Sequence, residues 1–382
     1  MTAGRAFEES VDRLPRGARV LVGMSGGVDS SVAAALLRER GLEVIGVSLH
    51  LWEPPSGSPE PSRCCAPEDL DDARASADAL GIPFFVFDHQ RAFDRAVVTP
   101  FVDGYLAGTT PSPCVACNRE VKIAALARLC DQLGAAAFAT GHYARAGVVR
   151  EPEGARPALL RGVDRGKDQS YFLHGIGARA LSRLVTPLGA LDKPRVRREA
   201  ERLGLPNAQK PDSEDLCFAA GDHAAFVESR AEGRVRPGAI VDELGREVGR
   251  HRGVHGFTIG QRKGLGVAIG RPAYVAAIDA ETATVRLASG GALEATGAIV
   301  RDFEWLAPPP AEDHDVLARV RYRHDGASAR VSRIDAQGRR VLVRFAELAR
   351  AVTPGQVCVI YDGDEVIGGG VIERAAEGPL SR

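Results

Sequence analysis

The sequence predicts an α/β protein, a doubly wound parallel sheet at the N-terminus followed by two small β-rich, barrel-like modules. Three observations predict it. Between residue 19 and about residue 145, short apolar runs alternate with helical segments that stop at glycine, the pattern of successive βαβ units. From about Pro237 the chain changes to short alternating stretches separated by glycine turns, an all-β signature. The length of 382 residues, at ~150 residues per domain, allows two or three domains.

Taken in order, Arg19 to Gly23 is the first strand and runs into a glycine-rich turn. Ser30 to Arg40 is helical and stops at Gly41, a natural C-cap. Glu43 to Leu51 is a strand, Glu68 to Leu80 a helix stopped by Gly81, and Phe84 to Phe87 a strand. Arg119 to Leu133 is a helix stopped by Gly134, followed by the strand Ala135 to Thr140. The Pro/Ser-rich segment 54–67 breaks the rhythm and reads as a mobile loop. From 165 to 230 the signal is mostly helical, with Lys193 to Leu203 stopped by Gly204. The β turns fall at Leu244-Gly245, Asp325-Gly326, Gln337-Gly338 and Asp362-Gly363, and Pro308-Pro309-Pro310 is either a linker or a stiff loop near the start of the last module. The expected domains are 1–220, 221–293 and 294–382.

The composition, 45% hydrophobic and 26% charged, is that of a soluble globular chain. The N-terminus carries Glu8, Glu9 and Asp12 with no apolar core, and no uncharged apolar run approaches the ~18 residues of a membrane span. A cytoplasmic protein with no membrane partner is expected, and a monomer. Net charge is −1, which argues against coating of nucleic acid by bulk electrostatics. The charge is segregated, however. Residues 60–103 hold nine acidic and four basic residues, whereas 319–344 holds eight arginines and two aspartates. Only five of the 49 basic residues are lysines. The cysteines, Cys64, Cys65, Cys114, Cys117, Cys130, Cys217 and Cys358, are odd in number and do not form a disulfide framework. Cys130 and Cys358 lie in apolar patterns and read as core residues, and Cys64-Cys65 as structural or incidental.

The sharpest motif is Gly23-Met24-Ser25-Gly26-Gly27-Val28-Asp29-Ser30-Ser31, between a strand and a helix. Backbone N–H groups and the helix N-terminus there form an anion site, and glycine lets the backbone approach phosphate closely. No Gly-Lys-Ser/Thr is present, so it is not a Walker A loop. The string resembles the PP-loop of the ATP pyrophosphatases. Ligands in such sheets lie at the carboxyl ends of the strands, where Leu49 is placed to pack an adenine, Gly141 to admit the nucleotide, and His142 to face a polar substrate.

Cys114 and Cys117 form a CxxC before the Arg119 helix, which reads as a redox pair, half a metal site, or a helix end filled by small residues. Nearness to that helix start would favour the Cys117 thiolate. Cys217 lies a hundred residues on, in Asp212-Ser213-Glu214-Asp215-Leu216-Cys217-Phe218.

Together with Pro113–Lys122, Ala139-Thr140-Gly141-His142-Tyr143, Lys167-Asp168-Gln169-Ser170-Tyr171-Phe172, Gly260-Gln261-Arg262-Lys263-Gly264-Leu265-Gly266, Arg321-Tyr322-Arg323 and Pro354-Gly355-Gln356, these strings resemble the tRNA-specific 2-thiouridylases, the MnmA family, over nearly the whole chain. The resemblance implies ATP-dependent 2-thiolation of the wobble uridine of tRNA, with a cysteine desulfurase or sulfur-carrier protein as donor. ATP would be bound by Gly23 to Ser30 with Leu49 and Gly141, and Mg²⁺ is expected with it, Asp29 being a candidate contributor. Cys117 would be the nucleophile and Cys217 the persulfide carrier, joined as a disulfide during turnover. Ser112, Pro113, Cys114, His142, Lys167, Asp168, Gln169, Arg321, Tyr322 and Gln356 would contact the tRNA or its target base.

The chain departs from the family pattern in places. Ser112 stands where the family often has Asn, and Glu214-Asp215-Leu216 precedes Cys217, where two negative charges would raise the thiol pKa. Cys114 adds a third thiol, so an iron–sulfur cluster on Cys114, Cys117 and Cys217 with one open iron is a second assignment. In the last module, alternation from Val316 to Arg323 puts Arg319, Arg321 and Arg323 on one strand face, ~7 Å apart, suited to successive phosphates. The alternative readings are another PP-loop ligase, such as a lysidine or GMP synthetase, and a non-catalytic RNA-binding module.

Overall fold

The strand Arg19–Gly23 is the centre of the first layer. Val20, Leu21 and Val22 are fully buried, as expected of a parallel strand covered on both faces. A computed structural model of the chain describes residues 6–53, 67–152, 154–212, 216–219, 221–267 and 270–376. Around this strand lies a five-stranded parallel sheet, in the order Phe84–Asp88, Glu43–His50, Arg19–Gly23, Ala137–Ala139, Leu184–Val185. The helices Val28–Glu39, Pro67–Leu80, Ile123–Gln132 and Lys193–Arg202 alternate with it. Val20, Val22, Val32, Leu37, Val44 and Val196 share one core. The expected α/β layer is present, with each helix ending beside its predicted glycine: Gly41, Gly81, Gly134 and Gly204 all take positive φ, the αL geometry of a helix C-terminus.

By Cα packing the chain forms two units. The first comprises Met1–Ala96, Cys114–Ala220 and Gly363–Val366; the second comprises Val97–Pro113, Gly221–Asp362 and Ile367–Arg382. The first unit also contains an antiparallel layer that the sequence does not announce: Ala6–Glu9, Ala144–Glu151 and Gly154–Arg161. Gly147 lies so close to Glu8 that a Cβ would stand 2.3 Å from its carbonyl oxygen. Residues 363–366 are fixed to this layer by ion pairs, Arg145 to Asp364 at 3.0 Å and Arg156 to Glu365 at 2.5 Å.

The second unit holds a four-stranded sheet ordered Glu247–His251, Gly238–Val241, Thr284–Ala288, Tyr274–Asp279, packed on Ile240, Phe257, Val275 and Val285. It also holds a closed barrel of six strands. Glu365–Ala376, Glu294–Trp305, Val341–Arg350, Ala327–Arg333, Val316–Arg319 and Val357–Asp362 follow one another, and the last pairs again with the first. Closure removes the edge strands that would otherwise recruit other chains. The predicted turn glycines Gly245, Gly326, Gly338 and Gly363 all have positive φ. Pro308-Pro309-Pro310 lies between two strands of the barrel, Glu294–Trp305 and Val316–Arg319, so it is a loop of that module and not a linker.

Cys130 and Cys358 are core residues as expected. Burial pushes the Cys358 thiol up to about 12, and Cys130 donates to the Ala135 carbonyl at 3.3 Å. Among the described residues no helix is long and apolar enough to cross a membrane. Of the segment 54–67 expected as a loop, residues 54–66 with Cys64 and Cys65 lie outside the described residues, and Pro67 opens the helix Pro67–Leu80.

Phe138 is fully buried in the parallel strand next to Arg19–Gly23. Phe138→Ala is expected to cost about 3–5 kcal/mol, read as a lowered denaturation midpoint of the full chain.

Candidate active site at the carboxyl edge of the parallel sheet

The phosphate loop is built by backbone closeness. Gly23 ends its strand and Gly27 precedes the helix Val28–Glu39 in extended conformation. The first N–H groups of such a helix have no intrahelical acceptor. Ser30 organises the turn, accepting from the Ser25 N–H at 3.1 Å and donating to the Gly27 carbonyl at 3.0 Å. Gly26 has φ +75, and a Cβ there would stand 2.1 Å from the Asp69 carbonyl oxygen. Gly141, at the next strand end, packs on the helix start: a Cβ would stand 2.7 Å from the Ser30 nitrogen. Its missing side chain thus admits helix backbone. Leu49 is half-buried near the carboxyl end of its strand, and Met24 is buried against Gly46.

Asp29 is the hub of the site. Its carboxylate accepts from the Tyr143 hydroxyl at 2.8 Å and from Lys193 Nζ at 2.8 and 2.9 Å. Lys193, nearly buried, also reaches Asp212 at 2.7 Å. Asp212 is paired in addition with Lys167 at 2.8 Å and Arg197 at 2.9 Å. Burial works to raise the Asp212 pKa, but hydrogen bonds and charge from Lys167 and Lys193 outweigh it and hold the group below its ordinary value. Burial, then the charge of Asp29, pushes the Tyr143 phenol far up, so it stays a proton donor.

The other side of the site follows from Tyr143. Its N–H donates to Gln169 Oε1 at 3.0 Å. Asp168, which the resemblance places against tRNA, is 2% exposed. Its carboxylate accepts from the Gly162 and Ser170 N–H groups at 3.0 and 3.1 Å and from Arg161 at 3.2 Å, so it holds the loop that carries Lys167 and Gln169. Asn118 donates to the Phe172 carbonyl at 3.4 Å, which ties the cysteine helix to the same loop. His142 is partly exposed and lies 2.8 Å from the Thr140 hydroxyl. Burial, and then the charge of Lys122, pushes its pKa down to about 3.

The helix with the CxxC begins at Pro113 and not at Arg119. It runs through Pro113–Ala116, a π turn over Cys117–Lys122, and Ile123–Gln132. Proline suits the first helical position, and π turns are frequent at functional sites. Cys114 is exposed and Cys117 is buried, within the helix. Cys217 is half-buried. Its neighbour Phe218 packs edge-on against Trp52 and Phe93, with centroids 6.3 and 5.6 Å away. Ser213, Glu214 and Asp215 lie outside the described residues. Among the described residues no three His, Cys, Asp or Glu side chains gather to hold a metal ion. Cys114, Cys117 and Cys217 are therefore not assembled as a cluster's ligands in this structure.

Sequence reasoning missed Lys193, Asn207 and Lys210. Asn207 is buried and donates to the Gly26 carbonyl and Ser31 Oγ, both at 3.0 Å. Lys210 is held by Asp69 and Asp72 at 2.5 Å, and Asp69 is the residue pressed on Gly26. A signal was available. In a chain that uses arginine almost everywhere, Lys122, Lys167, Lys193 and Lys210, four of the five lysines, stand in or beside this network, where a compact point charge with three donors is required.

The second unit holds the remaining predicted contacts. Ser112 is half-buried and Pro113 buried. Gln356 donates to the Thr110 carbonyl at 3.0 Å, two residues before Ser112, and so braces that segment. The arginine face is corrected by the structure. The strand stops at Arg319, which is 6% exposed and binds the carbonyls of Tyr322 and His324. Val320 is buried too, so the alternation breaks there. Arg321 and Arg323 follow in a turn and are exposed, with Tyr322 between them half-buried.

A parallel α/β layer with a glycine-rich anion loop, followed by two β modules, defines a nucleotide-binding protein of the HUP class. Family models match in that order: a tRNA methyl transferase HUP domain over 18–221, a tRNA methyl transferase PRC-barrel domain over 225–289, and an aminomethyltransferase β-barrel domain over 295–372. The chain is 53% identical over 372 residues to a tRNA-specific 2-thiouridylase MnmA of Sorangium cellulosum, covering 95% of this chain and 94% of that one. It is 44% identical to that of Geobacter metallireducens, covering 94% and 97%. The chain belongs to the MnmA family of tRNA-specific 2-thiouridylases.

Two outcomes are expected. Gly26→Ala adds a steric clash to αL strain, whereas Gly134→Ala, with φ +60 and open space around it, has strain alone. Gly134→Ala should cost about 1–2 kcal/mol; Gly26→Ala should cost more and also abolish ATP binding by calorimetry. The second concerns pH. Burial, aided by the charge of Arg119, pushes His174 down to about 4, against an opposing hydrogen bond to the Tyr171 carbonyl. As pH falls from 6.5 toward 4, the unfolded chain takes up protons at His142 and His174 that the fold refuses. Stability therefore falls with acidification, by up to about 1.4 kcal/mol per pH unit for each group. Denaturant titrations at pH 7, 6 and 5 should show this slope, reduced in His142→Gln and His174→Gln.

Proposed function

We propose that this chain converts the wobble uridine of tRNA to 2-thiouridine in an ATP-dependent reaction. The observation that carries the reading is the unbroken path through one hub. Asp29 of the phosphate loop is joined through Lys193 to Asp212, five residues before Cys217. Through Tyr143 and Gln169 it is joined to the loop that holds Asn118, next to Cys117. Nucleotide loop and both cysteine segments thus belong to one framework.

The loop from Gly23 to Ser30 binds the ATP phosphates by backbone N–H groups, with Leu49 and Gly141 at the neighbouring strand ends. The uridine C2 oxygen attacks the α-phosphate and pyrophosphate leaves. This converts a poor leaving group into AMP. Cys217 carries the incoming sulfur as a persulfide received from a cysteine desulfurase or a sulfur carrier. The terminal sulfur attacks C2 and AMP departs. The Cys117 thiolate then attacks the Cys217 sulfur, releasing the base as the C2 thione and leaving a Cys117–Cys217 disulfide. An external thiol supplies two electrons to reset both cysteines. Ser112, Pro113, Cys114 and His142 face the target base. Lys167, Gln169, Arg321, Tyr322 and Gln356 form the tRNA contacts, Asp168 and Gln356 through the segments they hold in place.

Mg²⁺ is expected with ATP, but the described residues offer it no cage. Both Asp29 oxygens accept from Lys193, and no acidic trio gathers among the described residues.

The test is nucleoside mass spectrometry of tRNA incubated with the full chain, ATP, a cysteine desulfurase and cysteine. 2-Thiouridine is expected with the wild type and absent, more than about 100-fold down, with Cys117→Ala or Cys217→Ala. Full activity of both variants would sink the sulfur-transfer reading.

A further inference from the structure

The second unit contains a cavity of ≈ 640 Å³ among the four-stranded sheet, the barrel and the segment at Thr110. Its basic wall is Arg262, Arg321 and Arg350, with Tyr274 between them, and no carboxylate lines it. None of these three arginines has an acidic partner among the described residues. Unpaired guanidiniums converging on one concave space repel each other unless an anion lies between them.

The arginines are also held in position. The Arg350 guanidinium lies 4.6 Å from the Tyr274 ring centroid, a stacking arrangement that limits its rotamers. Arg321 donates to the Arg350 carbonyl at 3.3 Å. Arg262 sits on a turn stitched by its neighbour: Gln261 Oε1 accepts from the Thr258 N–H at 2.9 Å, and Nε2 donates to the Lys263 carbonyl at 3.0 Å. The same turn is hydrogen-bonded to the Tyr274 strand, Gly260 N–H to the Val275 carbonyl at 2.8 Å and Val275 N–H to the Gln261 carbonyl at 3.0 Å. Arg350, and then Arg262, also draw the Tyr274 phenol below its ordinary pKa. A preorganised fork of guanidinium donors in an acid-free cavity matches the geometry of a phosphate.

We propose that Arg262, Tyr274 and Arg350 form a phosphodiester-binding subsite that takes one backbone phosphate of the RNA substrate, in addition to the contacts at Arg321-Tyr322. The proposal rests on the tRNA reading above. Gln356 lines the same cavity and holds Thr110, four residues before Cys114 in the chain. A phosphate seated here would therefore fix the RNA against a segment leading directly into the cysteine helix.

The test uses the full chain, unmodified tRNA and no ATP, with affinity measured over a range of salt. Arg262→Gln and Arg350→Gln should each weaken binding about 5- to 30-fold and lower the slope of log K against log salt by about 0.7–0.9, the value for one phosphate. Tyr274→Phe should weaken it about 2- to 3-fold. Arg286→Gln, an exposed arginine outside the cavity, should leave both quantities unchanged. Pyrophosphate, titrated separately, distinguishes a free phosphate from RNA. If it binds the wild type and not Arg350→Gln while tRNA affinity and slope are the same in both, the proposal is overturned. If the wild type binds tRNA and the three variants match it, the subsite is also overturned but the tRNA reading stands. If the wild type does not bind tRNA, both fail.

Discussion

The site depends on one nearly buried ammonium. Lys193 Nζ lies within 2.9 Å of three carboxylate oxygens from two segments far apart in sequence, Asp29 and Asp212. A partly buried carboxylate without a cation is expensive, and Asp212 is met by Lys167 and Arg197 as well. The charges therefore constrain each other. Asp29 fixes the first turn of the nucleotide helix, and Asp212 fixes the start of the Cys217 segment. Lys193 joins the two. Such a pair adds little net stability against a hydrophobic replacement, but it specifies one arrangement over its competitors.

The backbone around it is equally constrained. Gly26 against Asp69, Gly141 against Ser30 and Gly46 against Met24 leave no room for a Cβ. Close packing of this kind transmits displacement without absorbing it. Asp69 connects the tight turn to Lys210, so the glycine-rich loop is supported by the helix Pro67–Leu80 on one side and by Asn207 on the other.

Much of this was legible in the sequence. The parallel strands and their helices were readable because continuous apolar runs ended in glycine, where the periodicity and the stop signal agree. The glycine-rich loop and the CxxC segment were readable as motifs. The hairpin Ala144–Glu151 and Gly154–Arg161 was not, since Gly147 and Pro157 are residues that argue against a strand; here close pairing with Glu8 explains the glycine. Period-two reasoning failed at Arg319, whose aliphatic stem and guanidinium could be buried only because loop carbonyls were available to accept its donors. Asp168 looked like a recognition residue and is a buried brace, a distinction that depends on neighbours far from it in the chain. Lys193 carried no motif, only the rarity of lysine.

The chain crosses between its two units repeatedly. Val97–Pro113 belongs to the second unit, and Gly363–Val366 belongs to the first. During synthesis the first unit must therefore wait for its last four residues, which emerge 143 positions after Ala220, a delay on the order of 10 s at ribosomal speed. Arg145 and Arg156 reach native partners, Asp364 and Glu365, only at the end of translation. The first unit is thus completed only once residues 363–366 have emerged, just before Ile367–Arg382 complete the second.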